Sequence, residues 1–153
     1  MEIKFKSFIP ITDLEISAAE REIGSPLPSD YRSFLLKFDS AILEPNTFDK
    51  NLDVSVERFI PVSEIWSRAK KIDGFPMGAV PIAECSSGNF VYIKFDVPGV
   101  FFWDHEVEGE LQLSDSFSEF VDSLREFDLD SIQLEPGQVR SVWVDPNFKP
   151  EFD

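Results

Sequence analysis

The chain has a single cysteine, Cys85, so no disulfide can form within it. That fits a reducing compartment, and a cytoplasmic location is expected. It has a single histidine, His105, which leaves little for a histidine-rich metal centre. No apolar run approaches the roughly 20 residues needed to span a bilayer. Met1-Glu2-Ile3-Lys4-Phe5-Lys6 lacks the apolar segment and small-residue cleavage site of a secretory leader. Neither Gly-x-Gly-x-x-Gly nor Gly-x-x-x-x-Gly-Lys occurs, so no phosphate-cradling loop is written here. Gly-x-Ser-x-Gly is also missing, and nothing around Cys85 matches a papain-type context.

Basic residues are scarce as well. There are 14 Lys and Arg against 29 Asp and Glu, for a net charge of −15. The imbalance is local. Residues 1–72 hold 12 acids and 10 bases, whereas residues 73–153 hold 17 acids and 4 bases. Between Asp104 and Asp130, ten acids face one base, Arg125. A field of that sign repels nucleic acid and anionic membranes and attracts basic partners. The plainer reading is an acidic surface that keeps the protein soluble.

What the chain does have is core material. At 153 residues, 42% apolar and with 16 phenylalanines, it suits one domain with a sizeable interior. Ile16, Ala19 and Ile23 recur at helical spacing, and Gly24 follows where a left-handed residue closes a helix. Pro26 and Pro28 keep the linker non-helical. Ser29 is read as the cap of a second helix, whose Tyr31, Phe34, Leu35 and Phe38 share one face. Thr12 and Glu15 match a capping box, which starts the first helix near Thr12. Residues 2–9 read as an edge strand or extended arm. Residues 40–58 read as a loop with a short strand near Val54–Val56. Ser63 after Pro61 is read as the cap of a third helix over 63–70.

Beyond the Asp73-Gly74-Phe75-Pro76 turn the pattern changes. Ala79–Glu84, Phe90–Phe95 and Val100–Trp103 are short, rich in β-branched and aromatic residues, and divided by turn signals. They predict an antiparallel meander. Val91, Ile93 and Phe95 alternate with Phe90, Tyr92 and Lys94, and both sets are largely apolar, so this strand should be central. Gly109 should centre a hairpin from Glu106–Glu110 into a strand at Leu111–Leu113. A last helix is predicted from Ser114–Ser116 to about Phe127, with Phe117, Phe120, Val121 and Leu124 inward. Val142-Trp143-Val144 reads as an edge strand.

Several of these pieces resemble one family, in order. Glu20-x-x-Ile23-Gly24 with Leu27-Pro28-x-x-Tyr31-x-x-Phe34-Leu35 resembles the opening signature of the SUKH superfamily, also called the Smi/Knr family. Phe59-Ile60-Pro61-Val62-Ser63-Glu64-Ile65 is similar to the approach to its third helix. Ile82-Ala83 with Gly88-Asn89-Phe90-Val91-Tyr92-Ile93 is similar to its central hairpin. Gly99–Glu106 resembles its next strand, and Phe117–Leu124 its closing helix. Asp39-Ser40 stands where the family usually has Asn-Gly, and Gly88-Asn89 where it usually has Gly-Asp.

The resemblance implies an α+β fold: a curved antiparallel sheet of short strands packed by about four helices. It implies one domain over residues 1–153, with a core of about 12–127 and a C-terminal extension over 128–153. It also implies a non-enzymatic binding role with no cofactor. Bacterial relatives look like immunity proteins that neutralise a cognate toxin, often a nuclease, by direct contact. Fungal relatives are scaffolds, so a regulatory interaction module without a toxin is the alternative. A monomer or weak dimer is expected.

Two chemical readings compete with binding. Asp104-His105-Glu106 is the one place where histidine meets carboxylates, but a metal there needs further ligands. His105 could serve as a base for a serine or Cys85 nucleophile in a hydrolase. Cys85, flanking a strand, reads more simply as a small buried hydrophobe. The acidic stretch has the sharper meaning, since a nuclease cleft that holds phosphate is basic and an acidic surface complements it. The candidate contact residues are Trp103, Asp104, Glu106, Glu108, Glu110, Asp115, Asp122 and Glu126. Either Trp103 or Phe102 would be the exposed aromatic anchor.

Overall fold

The fold begins with a helix whose two ends are set by local chemistry. The computed structural model describes residues 4–48, 54–125 and 146–147. Strand β1 (Lys4–Lys6) leads to α1 (Asp13–Ile23). The Thr12 hydroxyl accepts from the Glu15 N–H, and the Glu15 carboxylate accepts from the Thr12 N–H at 2.7 Å. Two backbone donors that the helix leaves unpaired are thereby satisfied. Gly24 ends the helix at φ 80°, a left-handed conformation that costs a Cβ-bearing residue more.

Helix α2 (Ser29–Phe38) follows, with Tyr31, Phe34 and Leu35 buried. Pro28, not Ser29, is its cap position, and Ser29 is already helical. Proline suits the spot because its ring fixes an extended-to-helical entry without needing an N–H partner. Arg32 ties the two helices together, reaching Glu20 at 2.6 Å and Asp13 at 3.1 Å.

Asp39 and Ser40, the departure from the family pattern, occupy a strategic corner. Asp39 is 5% exposed, and its carboxylate accepts from the Val62 N–H at 3.0 Å. Burial lifts its pKa above the ordinary carboxylate range, and the N–H groups of Val62 and Ser40 pull it back. Asp39 therefore caps the 3-10 turn Val62–Glu64 that opens α3 (Ile65–Lys71). Ser63 does not cap it: a long-range carboxylate has taken that role from the local hydroxyl. Ser40 sits at φ 63°, where glycine would be unstrained.

Residues 42–44, 47–48 and 56–59 form strands within the stretch read as a loop. Strand β2 (Ile42–Glu44) pairs with β1, while β3 (Thr47–Phe48) and β4 (Val56–Phe59) belong to other sheets. Strands β5 (Ala79–Cys85), β6 (Phe90–Lys94), β7 (Val100–Trp103) and β8 (Leu111–Ser114) complete an antiparallel sheet in the order β4-β5-β6-β7-β8. The predicted central strand is β6. Gly99, at φ 122°, lets β7 run close to β8: a Cβ there would come within 2.6 Å of the Gln112 amide and 2.9 Å of the Ser114 carbonyl.

Helix α4 (Phe117–Asp122) is capped by Ser116, whose hydroxyl accepts from the Glu119 N–H. It ends well before the predicted Phe127. Leu124 leaves the helix to form β9 (Leu124–Arg125), which pairs with β3 through Leu124 and Phe48. Burying Leu124 against a strand has overridden its helical spacing. The predicted strand at Val142–Val144 lies outside the described residues.

The helices close one face of the sheet. Phe34, Phe59 and Phe117 pack with ring centroids 4.9–5.8 Å apart, joining α2, β4 and α4. Truncating a buried phenylalanine of this kind costs about 3–5 kcal/mol. The opposite face carries a smaller cluster of Ala79, Tyr92 and Phe101, against which Phe75 and Trp103 pack among the described residues.

We predict that Ser40→Gly raises unfolding stability by about 0.5–1 kcal/mol, because the strain relieved at φ 63° exceeds the entropy added to the unfolded chain. A chemical denaturation curve with unchanged slope and a higher midpoint is the expected result.

Candidate protein-binding site

Strand β7 delivers two aromatics to opposite faces of the sheet. Phe102 is 7% exposed and belongs to the main core. Trp103 is half-buried on the thinly covered face, with Phe75 at 5.7 Å and Phe90 at 6.0 Å. Of the two, Trp103 is the more exposed.

Residues 104–110 then form the loop of the predicted hairpin, joining β7 to its antiparallel neighbour β8, which begins at Leu111. Its start is shaped by its own side chains. Asp104 accepts from the Glu106 N–H at 2.9 Å, and its carbonyl accepts from the Val107 N–H. Asn89 anchors the next residue: its Oδ1 accepts from the His105 N–H at 3.2 Å and lies 2.8 Å from His105 Nδ1. Because the backbone N–H can only donate, the Asn89 atom is the oxygen and Nδ1 carries a proton. The outer nitrogen, Nε2, is 3.8 Å from Glu106 Oε1.

Two shallow grooves flank this loop. One, of about 300 Å³, has Phe102, Val107 and Leu111 among its apolar walls and Asp104, Glu108 and Glu110 as its acids. The other, of about 490 Å³, runs past Trp103 and His105 between the Asp73-Gly74 turn and the loop carboxylates. Val107 and Leu111 are exposed apolar residues at this end.

The candidate residues separate into groups. Trp103, Asp104, Glu106, Glu108 and Glu110 come together here. Asp115 does not join them, because the register places Ser114 opposite Val100 and Leu111 opposite Phe102. Asp115 is therefore at the far end of the β7–β8 pair, where its carboxylate accepts from the Gln112 amide at 3.3 Å. Asp122 is exposed on α4, away from the loop. Glu126 lies outside the described residues.

Within the first group the charges are unequal. Glu110 is neutralised by Lys94, whose ammonium lies 4.6 Å over the Phe101 ring. Tyr92 joins this network: burial first, then the charge of and hydrogen bond to Glu110, push its phenol up to about 12. Glu106 and Glu108 are exposed, and among the described residues neither has a lysine or arginine partner. Elsewhere Arg32 is engaged with Glu20 and Arg68 with Glu84 at 2.7 Å.

The catalytic alternatives gain little from this geometry. Cys85 is buried in β5 and burial pushes its thiol up to about 12, so it keeps its proton at neutral pH. Among the described residues no three histidine, cysteine or carboxylate side chains converge on a metal position. Sequence reasoning missed Asp73, Asn89 and Tyr92. The meander pairing, Phe90 opposite Trp103 and Tyr92 opposite Phe101, brings Asn89 and Tyr92 beside the loop, and the turn after α3 brings Asp73 to the same groove.

Four helices backing a five-stranded antiparallel meander make this an α+β domain of the SUKH type, a class of immunity-like protein-binding domains. The model of the SMI1 / KNR4 family (SUKH-1) matches residues 10–123, and the chain belongs to that family. A relative is the SPbeta prophage-derived uncharacterized protein YokK of Bacillus subtilis (strain 168), 28% identical over 142 residues covering 74% of each chain. No helix among the described residues is long and apolar enough to cross a membrane.

We predict that Glu110→Gln lowers the Tyr92 pKa from about 12 toward the ordinary phenol value, since a repelling charge is removed. The folded parent binds the extra proton above the ordinary value, so its stability falls as pH climbs from about 10 toward 12. Phenolate absorbance across that range, parent against variant, measures both effects.

Proposed function

We propose that the chain is a non-enzymatic immunity protein that binds and neutralises a cognate bacterial toxin through the acidic end of its sheet. Family membership supports a protein-binding role. The observation that carries the further step is the loop at 104–110. It presents Glu106 and Glu108 without basic partners among the described residues, next to a half-buried tryptophan and two grooves.

Such a surface complements a basic one. A nuclease domain is the toxin class that meets this need best, because a cleft built to hold phosphate is positively charged. Acidic residues facing it speed association by long-range steering, while the apolar centre supplies the short-range contact. The chain inhibits by occupying the cleft and makes or breaks no bond. A relative carried on a prophage fits a gene transmitted together with the toxin it counters.

The test is capture of the toxin domain encoded beside this chain's own gene, with affinity measured as ionic strength rises. Going from about 0.1 M to about 1 M shortens the screening length from about 10 Å to about 3 Å. The expected result is a tight complex that weakens at least about tenfold over that range. Absence of a complex would overturn the toxin reading. An affinity indifferent to salt would overturn the acidic-surface mechanism.

A further inference from the structure

On the thinly covered face of the sheet, two neighbouring niches are built alike and filled differently. The first is occupied by the chain itself. Lys94 lies over the Phe101 ring, paired with Glu110, and Glu110 is in turn hydrogen-bonded to Tyr92. An aromatic face and a carboxylate thus hold a cation there.

The second niche is two residues further along β7, at Trp103, which shares the face of Phe101. It has the same components in greater number: the indole together with Asp73, Asp104, Glu106 and Glu108 around a groove of about 490 Å³. Among the described residues no lysine or arginine lines it. The one cation-capable group, His105, is pinned by Asn89 on one ring nitrogen and stands 3.8 Å from Glu106 on the other.

We propose that this groove receives an arginine side chain of the bound partner, with the guanidinium on the Trp103 indole and its fork toward the loop carboxylates. The inference rests on the reading of this end as a protein-binding surface and names the chemistry it selects. Arginine suits the groove better than lysine. Its planar head stacks on an aromatic while donating sideways to several carboxylates, and it sheds water more readily than an ammonium. The chain's own segment 126–153 is a poor occupant by charge, with seven acids and two bases.

The test uses the full isotope-labelled chain titrated with N-acetylarginine amide, following the indole N–H resonance of Trp103. Trp103→Phe identifies that resonance by its loss. N-acetylcitrulline amide, the uncharged isostere, is the control. The expected result is a saturable shift with the arginine compound and a much smaller one with citrulline. The exposed pair Glu106→Gln with Glu108→Gln should weaken arginine binding about threefold, in the range of solvent-exposed ion pairs, without unfolding the chain. Equal shifts with the two compounds, no shift at all, or an unchanged affinity in the double variant would each overturn the proposal. Because the probe is a small molecule, this outcome is independent of whether the neighbouring toxin is captured. A chain that takes the toxin but ignores arginine loses only this groove.

Discussion

The constraint on which the structure depends is that β5 and β6 must be covered on both faces. Their alternating residues are apolar on each side: Val91 and Ile93 toward the helices, Tyr92 and Ala79 away from them. Exposing either set to water would forfeit roughly 1.5–3 kcal/mol per large side chain. The helix face is closed thoroughly by α1–α4 and the Phe34–Phe59–Phe117 cluster. Among the described residues the other face is closed by Phe75, Trp103 and the Lys94–Glu110 pair. Its end at Trp103 and the 104–110 loop is both aromatic and acidic.

Charge is arranged along the same division. Two bases in the first half of the chain, Arg32 and Arg68, make internal pairs that fasten helix to helix and helix to sheet. The second half has almost none to spend. One of its four, Lys94, holds Glu110 and thereby fixes one end of the 104–110 loop. Asn89 fixes the other end by gripping His105. The carboxylates between these two anchors are held in place by backbone without being neutralised. Such preorganised charge favours fast, selective association over added stability.

Much of this was legible in the sequence wherever the signal is local. Thr12, Glu15 and Gly24 bound α1 because caps act over one turn of chain. The strands of the meander announced themselves by composition and by the turns between them. Failures came where a distant residue decided the outcome. Asp39 reaches across to cap the turn at Val62, so Ser63 has no capping role. Phe48 draws Leu124 into a strand and shortens α4. Ser40 takes a left-handed corner that composition alone did not mark. At the candidate site, Trp103, Asp104, Glu106, Glu108 and Glu110 are neighbours in the chain and stay neighbours in the fold. The sequence also grouped Asp115 and Asp122 with them by proximity in the chain, and an antiparallel return carries Asp115 to the opposite end. Asn89 was invisible because only strand pairing makes it a neighbour of the loop, and Asp73 because only the packing of the turn after α3 brings it to the groove.

The central claim is that a partner is met at the sparsely covered end of the sheet, not on the helical side. Backbone hydrogen exchange of the full chain, free and in complex with the captured toxin domain, tests this most directly. The account predicts slowed exchange over residues 73–76 and 103–111, with α1 and α2 unchanged. Slowed exchange concentrated on α1 and α2, with the loop at 104–110 unaffected, would contradict it.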